Sequence, residues 1–389
     1  MRIAVDAMGG DAGPPVTVEG AVDAARDYQI EVVLVGDKAT VEGELARHQA
    51  RHLPVAVRHA SQVVAMDEPP SQALRRKRDS SLRVAAELVR DGEAAAFISA
   101  GNTGAAMAIA MFTLGVLPGV DRPAIAVVLP NLRGRTILLD AGANMDPKPR
   151  HLVQYALMGH VYAQDILGVA RPRVGLLSVG EEEGKGNELV REVFKTLEGM
   201  PLNFVGNVEG RDIYNGSVDV VVTDGFTGNV ALKISESLAD MILHLIREEL
   251  TRTPVAKLGA LLVRPAFRRF WKRVDYAELG GAPLLGINGA CIISHGASPA
   301  RAVKNAIRVA AEWVRMDVNA HIRAALTGEL ARTASGLRTA STSRPSEPDA
   351  GARDDARRPS APAARPASPA READPEDQGP GPAGGPRPA

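Results

Sequence analysis

Short apolar runs alternate with stretches of helical periodicity along most of this chain, which predicts repeated strand–helix units. The runs Arg2–Asp6, Glu31–Val35, Val55–His59, Ala94–Ser99, Ala124–Leu129, Arg135–Asp140, Arg173–Val179, Val218–Thr223 and Ala290–Ser294 read as strands. Helical spacing fills Ser80–Asp91, Thr103–Gly115, Pro149–Leu167, Asn187–Leu197, Gly228–Leu250 and Pro299–Leu330. Such alternation gives right-handed crossovers and a mainly parallel sheet. Only Pro130-Asn-Leu-Arg-Gly134 separates two of the runs, so Ala124–Leu129 and Arg135–Asp140 are expected to form a hairpin in a mixed sheet.

Six runs lead into clusters of Gly, Asn, Asp and Ser. These are Asp6–Asp11, Ser99–Gly104, Asp140–Asn144, Gly180–Asn187, Asp224–Asn229 and Ser294–Ser298. Loops between strand ends and helix starts bind anions through backbone N–H groups and helix dipoles. Their number predicts that they gather along one sheet edge around a phosphate-bearing substrate.

Composition changes this picture little. The chain has 389 residues, 45% apolar and 4% aromatic, which suits close-packed parallel strands. Lys+Arg and Asp+Glu are both 46, so no global attraction to nucleic acid is expected. The lone Cys291 lies in an apolar run and reads as core. No cysteine or histidine spacing marks a metal site, and no apolar run approaches the roughly 20 residues that cross a bilayer. A cytoplasmic location is the expectation. The catalytic unit is placed at residues 1–330 and a disordered tail at 335–389. The last 49 residues hold 11 of the 27 prolines, and no Val, Leu, Ile, Met or aromatic residue follows Leu337.

Taken in order, Asp6-Ala-Met-Gly-Gly-Asp11, Ser99-Ala-Gly-Asn-Thr-Gly-Ala105, Val179-Gly-Glu-Glu-Glu-Gly-Lys-Gly-Asn-Glu188, Gly206-Asn-Val-Glu-Gly-Arg-Asp212, Thr223-Asp-Gly-Phe-Thr-Gly-Asn229, Gly280-Gly-Ala-Pro-Leu-Leu-Gly286 and Ser294-His-Gly resemble the PlsX family of phosphate acyltransferases. The likeness spans Met1 to about Trp313; Ser178 stands where the family pattern has Asn. The resemblance implies a Rossmann-like three-layer αβα fold with a mainly parallel, mixed sheet, of the isocitrate dehydrogenase and phosphate acetyltransferase group. It implies transfer of an acyl group from acyl carrier protein to inorganic phosphate by a homodimer without a cofactor.

That reaction needs an anion site, donors for the developing oxyanion and help for the leaving thiol. Lys185, between Gly184 and Gly186, either pairs with phosphate or balances Glu181–Glu183. Asn229 after Gly228 reads as a helix N-cap or a donor to phosphate or the thioester oxygen. Asn102 and Thr103 after Gly101 face the same choice. Asp224 and Asp140 close strands, where they orient a donor or cap a turn. His295 is the best-placed histidine for the leaving thiolate, against an ordinary structural role. Gly9, Gly10, Asp11, Asn144 and Asn187 complete the candidate loops. No Gly-x-Ser-x-Gly elbow and no dinucleotide fingerprint occurs, against an acyl-enzyme and against a dehydrogenase.

The segment at about 251–276 stands out as a protruding, amphipathic helical piece. Leu258, Leu261 and Leu262 precede Pro265, which is expected to split it into two helices. Phe267, Phe270, Trp271 and Val274 follow at helical spacing, opposite Arg268, Arg269, Lys272 and Arg273. An apolar face beside a basic one suits an anionic membrane surface at the inner face of the membrane. Core packing, a dimer partner and carrier-protein docking are the alternatives. Docking there would deliver acyl phosphate to a membrane glycerol-3-phosphate acyltransferase.

Overall fold

The computed structural model describes residues 1–274 and 276–328, the side chains of 271–276 excepted. The tail expected at 335–389 lies outside the described residues. The first half runs β1 (Arg2–Asp6), α1 (Pro14–Tyr28), β2 (Glu31–Gly36), α2 (Lys38–Arg47), β3 (Val55–His59), α3 (Pro70–Arg76), α4 (Ser81–Arg90), β4 (Ala96–Ser99) and α5 (Thr103–Leu114). A hairpin follows, β5 (Ala124–Pro130) and β6 (Arg135–Leu139), then α6 (Pro149–Asp165), β7 (Val174–Leu177) and α7 (Glu188–Glu198). Next come β8 (Phe204–Val208), α8 (Asp212–Asn215), β9 (Val220–Val222), α9 (Gly225–Arg252) and α10 (Pro254–Val274). The chain returns through β10 (Ala282–Leu285), β11 (Ala290–Ile293) and α11 (Ala300–Arg315), with a further helix, α12, over 318–328.

One eleven-stranded sheet results, in the order β3-β2-β1-β4-β11-β10-β5-β6-β9-β7-β8. Strand faces alternate between two helical layers, as a period of two requires. Ile3 and Val5 pack with Val18 and Ala21 of α1 and Ile307 of α11. Ala4, between them, packs with Leu82 of α4 and Ile109 of α5. In the second half, Ile137 and Leu139 join Tyr155 and Met158 of α6, while Leu138 faces Ile213 and Val221. The architecture is therefore a three-layer α/β fold with a mixed, mostly parallel sheet. Cys291 is fully buried in the core, where burial drives its thiol far up from its ordinary range.

Strand direction corrects one expectation. Contacts β11–β10, β10–β5 and β5–β6 are antiparallel, and the other pairings are parallel. Three reversals in a row invert the second half of the sheet relative to the first. The C-terminal ends of β1, β4 and β11 thus lie at one edge, and those of β6, β7 and β9 at the opposite edge. The six loops do not share one edge; they divide three and three.

Two helix expectations also change. The expected helix Pro299–Leu330 breaks at Met316–Asp317, where Asp317 adopts φ 48°; Leu330 lies outside the described residues. Pro265 does not split its segment: α10 continues through it. Proline inside a helix removes one backbone hydrogen bond and costs about 3 kcal/mol. Here the residue is exposed, as are most of its neighbours on α10.

Candidate active site

At the first edge the loops after β1, β4 and β11 close on one another. Asp6 is buried; its Oδ2 accepts from Ser99 Oγ at 2.7 Å, and Ser99 Oγ accepts from the Gly101 N–H at 3.0 Å. Burial raises the Asp6 carboxyl, opposed by the hydrogen bonds from Ser81 and Ser99. Gly9 packs against Gly101 and Asp6, and Gly10 against Ala100 and Gly296. The Asp11 N–H donates to the Gly296 carbonyl at 2.8 Å. The structure brings these residues together, but largely to hold one another.

Asn102 is more fully committed than its sequence reading allowed. Its Oδ1 caps α5 by accepting from the Ala105 N–H, and its Nδ2 faces the carbonyls of Met66 and Glu68, each at 2.9 Å. Thr103 is exposed in the first turn of α5. His295 is exposed, with Nδ1 accepting from the Ala297 N–H at 3.2 Å. It stands at the opposite strand ends from Lys185 and Asn229, so one chain does not group these candidates.

The second edge carries the loops after β6, β9 and β7, which are neighbours in the sheet. Asp140, fully buried, organises the first. Its carboxylate accepts from the N–H groups of Ile125, Gly142, Ala143 and Asn144 at 2.7–3.1 Å. Burial pushes this carboxyl up while those donors pull it down. Asn144 Nδ2 ties the turn to the Pro123 carbonyl at 2.7 Å, and the Asn144 carbonyl accepts from the Gly225 N–H at 2.8 Å. The turn is thereby fastened to the start of α9.

Asp224, not Asn229, is the N-cap there. Its Oδ1 accepts from the Thr227 N–H at 2.8 Å and its Oδ2 from Thr227 Oγ1 at 2.7 Å. The helix therefore starts earlier than expected, and Asn229 sits within its second turn. Gly228 is required at that level. A Cβ added there would lie 1.9 Å from the Asp140 carbonyl oxygen, so only glycine lets the helix come this close. A Cβ added at Gly142 would lie 3.5 Å from Asn229 Oδ1, and the Asn229 amide has no hydrogen-bond partner among the described residues.

Lys185 occupies an exposed turn before α7, where its N–H donates to the Glu182 carbonyl at 3.0 Å. Its stem lies along Gly180. Among the described residues no carboxylate pairs with its ammonium; Glu181 pairs instead with Arg211 at 2.6 Å. Nearby Gly184 is open, Gly186 takes φ +93°, a conformation that favours glycine, and Asn187 caps α7 through the Val190 N–H. A free cation, a helix N-terminus and an unengaged amide thus stand on neighbouring strand ends. That arrangement can bind an oxyanion and polarise a carbonyl.

Two polar groups lie behind the Lys185 turn, of which the sequence marked Ser178 only as a departure from the family pattern and did not single out Asn207. Ser178 Oγ and Asn207 Oδ1 are buried without a partner among the described residues. Asn207 lies on β8, whose half-exposed Phe-Val-Gly-Asn-Val has no apolar run to mark a strand. The only available signal was its place in the motif Gly206–Asp212.

One face of α9 lies open from Asn229 past Val230, Lys233, Ile234, Ser237 and Leu238 to Met241, and it is largely apolar. On the α9–α10 hairpin, Leu258, Leu261, Leu262 and Phe270 are exposed, and Phe267 meets Phe270 edge-on at 6.5 Å. The Trp271 and Val274 side chains lie outside the described set. No helix among the described residues is long and apolar enough to cross a membrane.

A family model described as fatty acid synthesis protein matches residues 1–321. The phosphate acyltransferase of Geobacter sulfurreducens is 57% identical over 319 residues, covering 82% of this chain and 92% of that protein. The phosphate acyltransferase of Pelotomaculum thermopropionicum is 54% identical over 326 residues, covering 84% and 95%. Among solved structures, a phosphotransacetylase from Streptococcus pyogenes matches with TM-score 0.56 at 18% identity, over 81% of this chain and 94% of that one. The EutD phosphotransacetylase from Staphylococcus aureus gives TM-score 0.53 at 15% identity, over 81% and 94%. These two likenesses establish the fold. The sequence match over most of both chains establishes more: this chain belongs to the fatty acid synthesis protein family, the PlsX family of phosphate acyltransferases.

Proposed function

We propose that the protein transfers a long-chain fatty acyl group from acyl-[acyl carrier protein] to inorganic phosphate, giving an acyl phosphate for glycerol-3-phosphate acylation. The observation that carries this reading is the pairing of Lys185, at the α7 N-terminus, with the unengaged Asn229 amide on a neighbouring strand end. Phosphate docks against the Lys185 ammonium and the first N–H groups of α7. One phosphate oxygen attacks the thioester carbon, forming the C–O bond while the C–S bond breaks. The Asn229 amide donates to the carbonyl oxygen as charge develops there. The phosphate dianion gives up its proton and the departing thiolate takes one up, so the step balances without an outside acid. Within one chain, His295 stands apart from this chemistry, and Asp224 serves it by capping α9.

The open apolar face from Asn229 to Met241 runs along roughly 18 Å of helix at 1.5 Å per residue, a length against which a long acyl chain can lie. This favours an acyl-carrier substrate over the acetyl-coenzyme A of a short-chain phosphotransacetylase. Mixing purified protein with phosphate and acyl carrier proteins of graded chain length should yield acyl phosphate, detected directly, from the long-chain thioesters. Turnover confined to acetyl-coenzyme A would overturn the reading.

The homodimer, the cytoplasmic location and docking at the inner face of the membrane belong to the same proposal. Exposed Leu258, Leu261, Leu262 and Phe270, beside the basic residues of α10, support attachment to an anionic membrane surface. Each side chain removed fully from water contributes about 1.5–3 kcal/mol, and partial burial at an interface gives less. The double change Phe270→Glu and Trp271→Glu is expected to release the protein from anionic vesicles. Dimer mass in sedimentation and turnover of soluble acyl carrier protein should survive it. Retained vesicle binding, or loss of the dimer, would assign the stripe elsewhere.

A further inference from the structure

We infer that Asn207 is a positioning residue that holds the Lys185 turn in place for phosphate, an inference that rests on the proposed role of Lys185. The turn Glu182-Glu183-Gly184-Lys185 closes through a single backbone hydrogen bond, from the Lys185 N–H to the Glu182 carbonyl. Its residues are exposed, and the Glu181–Arg211 ion pair beside it lies at the surface, where such pairs fix little. Asn207 reaches it from beneath. Held on β8 opposite Leu176 of β7, and 4% exposed, it donates through Nδ2 to the same Glu182 carbonyl at 2.8 Å. It is a buried side chain anchoring a turn that is otherwise loosely held.

The rest of Asn207 argues against a purely structural duty. Its Oδ1 is buried with no partner among the described residues, an arrangement that lowers stability. An apolar residue at this strand position would avoid that cost. What asparagine supplies there is a donor aimed at the carbonyl that also receives the Lys185 N–H. With the turn pinned, the ammonium is displayed from a fixed point beside the N-terminus of α7. Without the pin, Lys185 keeps its charge but loses its place, and misplacement by about 1 Å can cost as much as 10²-fold in rate.

Steady-state kinetics of Asn207→Ala, Lys185→Ala and the double variant test this. Asn207→Ala should lower kcat/KM for phosphate by about tenfold or more, chiefly through KM for phosphate. KM for the acyl thioester should hold, and the thermal midpoint should not fall. In the Lys185→Ala background the same change should alter rates less than about twofold, because the two act as one unit. Asn207→Asp keeps the shape but sets a carboxylate against the Glu182 carbonyl, so it should behave like the alanine variant. Equal losses in both backgrounds, or loss of the fold in both Asn207 variants, make the residue structural and overturn the inference. An impaired Lys185→Ala beside an unaffected Asn207→Ala overturns it alone. Wild-type phosphate kinetics in Lys185→Ala would overturn the reading of Lys185 as well.

Discussion

Lys185→Ala is expected to lower acyl phosphate formation by about 10²-fold or more, the scale of losing one preorganised electrostatic contact in a transition state. The folded state should tolerate the change. The side chain is exposed and makes no ion pair with a described residue, and substitutions at such positions stay within about 0.5 kcal/mol. Activity and stability should therefore separate: turnover collapses while the thermal midpoint stays. Phosphate saturation curves distinguish the roles open to the lysine. A loss confined to KM for phosphate marks ground-state binding, whereas an equal fall in kcat and kcat/KM marks a contact made in the transition state. A folded variant with near-normal phosphate kinetics would make Lys185 a surface lysine, balancing the three glutamates before it.

How far the sequence reveals this site depends on which kind of pattern carries it. Buried parallel strands advertise themselves, because burial on both faces makes them continuous apolar runs, as in Glu31–Gly36 and Ala96–Ser99. The hairpin of β5 and β6 was legible from its short connection. Two strands were not. Phe204–Val208 is interrupted by Gly206 and Asn207, and Ala282–Leu285 contains Pro283, which reads as a breaker. The second omission mattered most. β10 contributes two of the three consecutive antiparallel contacts that invert half of the sheet. Without it, loops of one chemical character seem to share an edge when they occupy two. The local signals were sound, but grouping them required the strand order. Asn229 shows the same limit at smaller scale. Asp224 with Thr227 three residues on is a capping pattern, yet Gly228 drew the expected helix start forward. That glycine answers to the Asp140 carbonyl, a contact 88 residues away along the chain.

Gly228→Ala should accordingly damage both the fold and the site, although alanine is the better helix former by about 1 kcal/mol. An added Cβ would lie 1.9 Å from the Asp140 carbonyl oxygen and 3.0 Å from Thr223 Cγ2. Neither neighbour can swing aside as a long side chain would. The oxygen belongs to the backbone at the end of β6, and the adjoining turn is fixed by four N–H groups on the Asp140 carboxylate. Either α9 moves outward or that turn gives way. Overpacking of this kind costs about 1–3 kcal/mol, which outweighs the gain in helix propensity. The thermal midpoint should fall. Asn229 is the next residue, and its amide must move with the helix, so turnover should drop by at least about tenfold even in the folded fraction. Comparing heat unfolding with turnover per folded molecule separates the two effects. An alanine variant as stable and active as the parent would show that α9 shifts freely, and Asn229 would then lose its claim to a fixed place in the site.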